Sequence, residues 1–110
     1  MNLGPGQDLE IVRANAATTN EMKWTVAAAN ERTDTTGRIV PQPAAQGSTN
    51  GTTPVTILNG PTSGKERSVR VIVTNYDTVA DAATLQTNTS GTRKAITTIT
   101  LPPGYTMEFA

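Results

Sequence analysis

Apolar and polar residues alternate along most of the chain with a period of two, which is the spacing of a β-strand with one buried face. The clearest case is 67–76, where Val69, Val71 and Val73 share one face. Further apolar residues on the opposite face indicate that this strand is central. A helical period is hard to find, and the Ala-rich stretch 26–29 continues the alternation that starts at residue 21. We therefore predict strands and no helix.

The other predicted strands are also short, and Gly, Pro and Asn separate them. They span 8–13, 21–29, 54–58, 82–88, 93–101 and 105–109, with a short edge strand at 38–40. Ile96 and Ile99 are an odd number of residues apart, so one face takes both only if the strand contains a β-bulge. Seven or eight short strands predict a single antiparallel β-sandwich over residues 1–110, of jelly-roll or immunoglobulin-like type.

Two segments lack the alternation. Residues 30–53 are rich in small and polar residues, and their only strong apolar pair is Ile39 and Val40. A segment of about 24 residues with little regular structure is long for a compact domain. Two interpretations stay open for it: a disordered surface loop, or an extended arm that becomes ordered by adding a strand to a neighbouring subunit. Residues 1–7 contain a Gly-Pro-Gly turn and are expected to form a flexible lead-in.

Composition removes much of the chemistry that a chain of 110 residues can perform, because this one has neither His nor Cys. Ser-His-Asp and Cys-His nucleophile systems are excluded, as are zinc and haem sites built on nitrogen and sulfur ligands. We predict a protein without cofactor or metal that is not an enzyme. Leu, Ile, Val and Phe number only 20, so we expect a modest core that neighbours in an assembly support.

The charge balance bears on the class of partner. Nine Lys+Arg match nine Asp+Glu, and neutralising nucleic-acid phosphates needs a surplus of cations. No stretch approaches the roughly 20 apolar residues that span a bilayer, and no basic segment followed by an apolar run opens the chain. We therefore expect no nucleic-acid partner, no membrane span and no signal peptide.

Two pairs of carboxylates are the candidates for acid–base or metal chemistry. Asp77 and Asp81 lie four residues apart around a turn, where they would supply part of a calcium site. Asp is also common in turns because it bonds its own backbone, and we favour that interpretation. Asp8 and Glu10 share one strand face; a glycosidase pair there would need a cleft, and a solvated sheet face is the simpler interpretation.

Basic residues cluster in sequence at Lys65, Arg67, Arg70, Arg93 and Lys94. If the strands that begin near 66 and 93 are neighbours, these residues form a cationic rim that would contact an acidic partner surface. The alternative, which we favour, is that they are strand-end charges that discourage edge-to-edge aggregation.

Candidate partner-binding residues come from this basic grouping and from the apolar pair of the 30–53 segment. They are Arg38, Ile39, Val40, Lys65, Arg67, Arg93 and Lys94. Trp24 is in phase with Met22 and Val26, so we expect it to anchor the core, the alternative being a platform that stacks on a sugar.

The second half of the chain carries a family resemblance. Leu-Asn-Gly-Pro at 58–61 and Ser-Gly-Lys-Glu-Arg at 63–67 precede a Val/Ile strand that ends in Asn-Tyr-Asp-Thr at 75–78. Gly-Thr-Arg-Lys follows at 91–94, and Thr-Leu-Pro-Pro-Gly-Tyr at 100–105. Together with Asp-Leu-Glu-Ile-Val at 8–12 and Thr-Thr-Asn at 18–20, this pattern resembles the small all-β domains of tailed-bacteriophage virion proteins.

The resemblance implies a structural role and brings no catalytic residues with it. Proteins of this kind include capsid decoration or cement proteins, head fibres, and neck or tail components. The expected function is a decoration protein, made in the host cytoplasm and carried in the virion, that binds the outer capsid surface and stabilises the head. A neck or tail component such as a head–tail stopper, and a receptor- or glycan-binding fibre module, are the alternatives.

The resemblance also implies partners. They are the major capsid protein or other virion proteins, together with further copies of the chain itself. A trimer is favoured among the homo-oligomers, because decoration sites lie on symmetry axes.

Overall fold

The computed structural model describes residues 1–16, 21–33, 39–42 and 45–110. Within these ranges the chain forms ten β-strands and no helix. The strands are β1 (Asn2–Leu3), β2 (Gln7–Arg13), β3 (Met22–Thr33), β4 (Ile39–Pro41), β5 (Gln46–Thr49), β6 (Val55–Leu58), β7 (Lys65–Asn75), β8 (Asp81–Thr89), β9 (Thr92–Leu101) and β10 (Thr106–Phe109). The all-β class that the period-two alternation predicted is confirmed.

Two antiparallel sheets pack face to face as a β-sandwich. In the first, which we call the long sheet, β7 and β3 are paired centrally; β1 and β10 share the far side of β7, and β4 and β5 share the far side of β3. The second, or short, sheet has the order β6-β2-β8-β9. Because β7 pairs on both sides, the central position that its two apolar faces predicted is confirmed.

The core lies between the sheets and is built from alternate residues of each strand. Its fully or nearly buried apolar members are Leu3, Leu9, Ile11, Met22, Trp24, Val26, Ala29, Ile57, Val69, Val71, Val73, Ala83, Leu85, Leu101 and Phe109. On the long sheet the apolar inner face ends at Ala29 and Val69. Farther along the same face the side chains of Glu31, Lys65 and Arg67 are charged. The molecule is correspondingly elongated, with extents of 47 × 25 × 18 Å.

Three strand assignments differ from the sequence-based expectation. Strand β3 continues to Thr33, four residues beyond its predicted end at 29, because its far half pairs along β7. Strand β5 was not predicted, because its residues are small and polar and have little strand propensity of their own. Pairing with β3 stabilises it as a strand. Strand β1 falls in the expected lead-in, yet Leu3 is completely buried and pairs with Arg67.

The short edge strand expected at 38–40 is present as β4, which pairs with β3 through Ile39, Val40 and Pro41. Arg38 lies outside the described residues. The bulge required by the spacing of Ile96 and Ile99 is also confirmed. The pairing of β8 with β9 shifts register between Leu85 and Gln86, and the shift leaves Ile96 without a partner residue on β8.

Candidate partner-binding surface

Four of the seven candidate partner-binding residues come together at one end of the long sheet. Register places Ile39 beside Arg32, and Val40 beside Glu31, on the edge strand β4. The next pairing places Arg67 beside Glu31, with Lys65 two residues away on β7. We call this region the charged end. Sequence spacing does not reveal the grouping, because it depends on β3 extending past its predicted limit.

Glu31 organises the inner side of the charged end. Its carboxylate accepts a hydrogen bond from Arg67 Nη2 at 3.0 Å and lies 3.5 Å from Lys65 Nζ. The hydrogen bond from Arg67 is the main reason that the pKa of Glu31 falls below its ordinary value, and the charge of Lys65 adds to it. Arg67 also donates to the Asn59 carbonyl oxygen, which ties the charged end to the chain that follows β6.

On the outer side of the charged end an apolar side chain stands among polar ones. Ile39 is 62% exposed, more than any other Val, Leu, Ile or Met side chain in the described residues. The next residue, Val40, is 40% exposed. Arg32 pairs with Glu66 at 3.3 Å across the outer face. Ile39, Arg32 and Glu66, but not Val40, line a shallow depression of about 310 Å³ together with Asn2, Asn30, Arg67 and Ser68.

The cationic rim does not form. Arg93 and Lys94 are on β9 of the short sheet, whereas Lys65, Arg67 and Arg70 are on β7 of the long sheet, so the two strands are not neighbours. The charges are also largely compensated. Arg70 pairs with Glu108 at 2.8 Å and Arg93 with Glu10 at 2.9 Å, while at the charged end Glu31 pairs with both Lys65 and Arg67.

Glu10 is the best-satisfied carboxylate on the outer face of the short sheet. It accepts hydrogen bonds from Gln86 Nε2, Asn88 Nδ2 and Arg93 Nε, at 2.8, 3.1 and 2.9 Å. Burial raises its pKa, but these hydrogen bonds outweigh burial, and the net pKa is lowered. The expected solvated face is thus wrong for Glu10, which is only 4% exposed. Asp8 instead accepts from the Gly60 amide at 2.6 Å, so the two carboxylates have separate structural partners.

The opposite end of the sandwich holds a buried charge cluster that the sequence interpretation missed. Arg13 is 2% exposed; its Nε donates to Asp81 at 2.9 Å and its Nη2 to Asp77 at 3.2 Å. The sequence could have indicated that Arg13 is buried, because Arg13 continues the alternation that places Leu9 and Ile11 on the inner face of β2. We call this group the buried cluster.

Hydrogen bonds from the surrounding turns hold the two aspartates in place. Asp81 accepts from the side chain of Asn15 at 3.0 Å and from the Ala82 amide at 2.8 Å, and Asp77 accepts from the Thr78 amide at 2.7 Å. Both aspartates thus bond the next backbone amide, as the favoured interpretation expects, but only Asp77 lies in the bend after β7, whereas Asp81 begins β8. The ion pairs to Arg13 were not expected. Among the described residues no group of three or more acidic side chains is arranged to hold a metal ion.

Asn75 completes this end. It is fully buried, donates from Nδ2 to the carbonyl oxygens of Val79 and Leu101 at 3.0 Å each, and accepts from the Asp77 amide at 2.9 Å. One side chain thereby fixes the turn after β7 to the end of β9.

Trp24 anchors the core as expected, with 6% of its surface exposed. Its ring covers Gly47 on β5, where an added Cβ would lie 2.5 Å from Cζ2. A buried indole offers no open face to a sugar ring, so the alternative role as a stacking platform is not supported.

Comparison with known proteins identifies no relative: no family model, curated protein or solved structure matches the chain. Among the described residues there is also no helix long and apolar enough to cross a membrane.

Proposed function

We propose that this chain is a non-enzymatic structural protein of a tailed-bacteriophage virion, and that it decorates the outer capsid surface and stabilises the head. The observation that carries the proposal is the charged end, where an edge strand presents Ile39 and Val40 to solvent beside compensated charges. The resemblance of the strand and turn residues to virion proteins supplies the biological context. The partner is then the major capsid protein or another virion protein.

The composition of the charged end suits contact with a protein surface. Ile39 beside Arg32 on the outer face, and Val40 beside Glu31 on the other face of β4, each provide exposed apolar area. The surrounding Arg, Glu, Asn and Ser side chains provide a polar rim, which is the usual anatomy of an interface. Because Glu31 pairs with both Lys65 and Arg67, and Glu66 with Arg32, only one net positive charge is left among the described residues of this end. Docking there does not require a strongly acidic partner. Single contacts of this size are weak, and repetition over a capsid lattice makes them effective through multivalency.

The direct test uses heads of the encoding phage assembled without this chain. Purified protein is expected to cosediment with such heads and to raise the temperature at which they release DNA. Replacing both Ile39 and Val40 by Asp is expected to abolish cosedimentation while leaving the thermal unfolding of the free protein unchanged. Val79→Asp is the matched control, because Val79 is also exposed, at 52%, but lies at the other end of the sandwich.

Absence of binding by the unaltered protein would overturn the decoration role. Copy number then separates the alternatives, since a decoration protein is present in many copies per particle, whereas a neck or tail component is present in few. Equal loss of binding in the Val79→Asp control would show that the charged end is not the contact surface.

A further inference from the structure

The described sheet edges differ sharply in how they are protected against pairing with another chain. On the long sheet, β1 and β10 have two and four residues, and β4 has three and ends in Pro41. On the other side of the sandwich the short strands β5 and β6 lie against each other. Short length, proline and covering neighbours are the usual protections of a sheet edge. Strand β9 has ten residues and, in the described part of the chain, pairs only with β8.

The residues of β9 do little to protect its free edge. Its two charges are at the beginning, and Arg93 is drawn across the outer face to Glu10. From Ala95 to Leu101 the strand contains neither a charge nor a proline. The bulge at Ile96 interrupts the pairing with β8, but from Thr97 to Leu101 the register is regular. This five-residue segment is therefore a straight, uncharged strand edge.

The inner side of β9 is also incompletely covered. Ile96 is 44% exposed, although it belongs to the sheet that bounds the core. With Met1, Lys94 and Ala110 among others, it lines a groove of about 480 Å³, where the β9 side of the short sheet meets β1 and the end of β10. Exposed apolar surface therefore lies beside the free edge of β9.

We propose that β9 pairs antiparallel with β9 of a second copy of this chain, so that two four-stranded short sheets become one continuous sheet. This dimer replaces the trimer that the resemblance to virion proteins implies. The inference does not depend on a virion role. A two-fold axis between identical antiparallel strands is perpendicular to the sheet, so one residue of the strand lies opposite itself. The regular segment is centred on Ile99, and the sequence Thr98-Ile99-Thr100 is the same in both directions.

This register is complementary in side chain and in charge. Ile99 lies opposite its copy on the inner face, and Thr98 lies opposite Thr100 on the outer face, so these central pairs join identical side chains, while Thr97 lies opposite Leu101 at either end. Lys94 and its copy are eight strand positions apart along the pair, because the bulge at Ile96 takes up one residue in each chain. That is about 27 Å at the rise of an antiparallel strand. That separation exceeds the Debye length of about 8 Å at physiological ionic strength, so the cations do not oppose association. A second copy fits this edge better than a charged partner does, because the segment offers no charge to recognise.

Charge substitutions on the outer face test the pairing directly. The unaltered protein is expected to sediment as a dimer that dissociates on dilution. The Thr98→Lys/Thr100→Lys and Thr98→Glu/Thr100→Glu variants each place like charges opposite one another and are expected to be monomers. Mixed in equal amounts, the two variants are expected to form a heterodimer. Thr56→Lys is the matched control, since Thr56 is exposed on β6 at the opposite edge of the same sheet, and it is expected to remain a dimer.

Cross-linking tests the register. The chain has no Cys, so introduced thiols are the only ones present. Opposite residues of antiparallel strands have Cα atoms about 4.5–5.5 Å apart, within the range of a disulfide. A mixture of Thr98→Cys and Thr100→Cys proteins is expected to form a heterodisulfide in higher yield than either protein forms with itself. A monomeric or trimeric unaltered protein, or no association between the Lys and Glu variants, would overturn the proposal.

Discussion

The two ends of the sandwich each contain a set of three charges, and the two sets differ in their exposure to water. In the buried cluster one cation, Arg13, lies between Asp77 and Asp81, with all three side chains 1–3% exposed. Removal from water is costly for each of these ions, and it is offset only because every one has close partners. The cluster therefore depends strongly on each of its members.

At the charged end the signs are reversed, with one anion, Glu31, between Lys65 and Arg67. These side chains are 14–41% exposed, so water screens their attraction and compensates for a lost partner. Arg67 is the least exposed of the three, and its Nε is buried without a hydrogen-bond partner, so replacing the guanidinium also removes a buried unsatisfied donor. The comparison teaches that a three-charge group fixes the fold where water is excluded, whereas in contact with water it shapes a surface and contributes little stability.

The largest expected effect comes from replacing the arginine of each group by methionine, which tests whether burial makes the two groups differ in stability. Arg13→Met leaves Asp77 and Asp81 buried without their cation, and we expect it to lower the free energy of unfolding by about 3–5 kcal/mol. Arg67→Met is the matched control at the charged end, with an expected loss of at most about 1 kcal/mol. Urea unfolding followed by Trp24 fluorescence measures both. Equal losses would mean that burial does not separate the two groups.

A smaller effect is expected from Asn75→Asp, which keeps the size of the side chain but replaces its two N–H donors by oxygen. The carbonyl oxygens of Val79 and Leu101 then lose their donor and face a carboxylate. We expect a loss of about 2–3 kcal/mol, the usual cost of leaving buried polar groups unsatisfied.

Asn30→Asp is the control for this substitution, since Asn30 is exposed on β3 near the charged end. Its expected effect on the urea midpoint is within the error of measurement. A change at Asn30 as large as the one at Asn75 would contradict the structural role assigned to the buried amide.

The contrast between the ends also marks how far the sequence predicts this molecule. The alternation of Val69, Val71 and Val73 fixes a strand face by itself, and the odd spacing of Ile96 and Ile99 demands a bulge, so both features were predictable. The ion pairs of Arg13 were not, because its partners are 64 and 68 residues away and only the folded topology brings them together.

The candidate surface was predictable only in part, for the same reason. Ile39 and Val40 stand out in a polar segment, and the edge strand around them was expected. Their position beside Lys65 and Arg67 depends on the pairing of β3 with both β4 and β7. The prediction of a cationic rim was wrong because strand order depends on long-range pairing. Strands β7 and β9 both begin with basic residues, but they belong to different sheets.

The smallest expected effect is the acid sensitivity of the charged end. The pKa of Glu31 is lowered in the folded protein, chiefly by the hydrogen bond from Arg67, from an ordinary value of 4.5. A carboxylate with a lowered folded pKa contributes stability that is complete above its unfolded pKa and is lost as the pH falls through the folded pKa. The free energy of unfolding of Glu31→Gln should therefore decline less steeply than that of the unaltered protein as the pH is lowered below about 5.

Repeating this last measurement in the Arg67→Met variant and at high salt tests the cause of the acid sensitivity. In Arg67→Met the main cause of the lowered pKa is gone, so Glu31→Gln should change the acid slope less there than in the unaltered protein. At about 1 M salt, where the Debye length is about 3 Å, the effect of Glu31 should shrink while the loss caused by Arg13→Met persists. A salt response of equal size at both ends would remove the distinction, because it would place the buried cluster in contact with solvent ions.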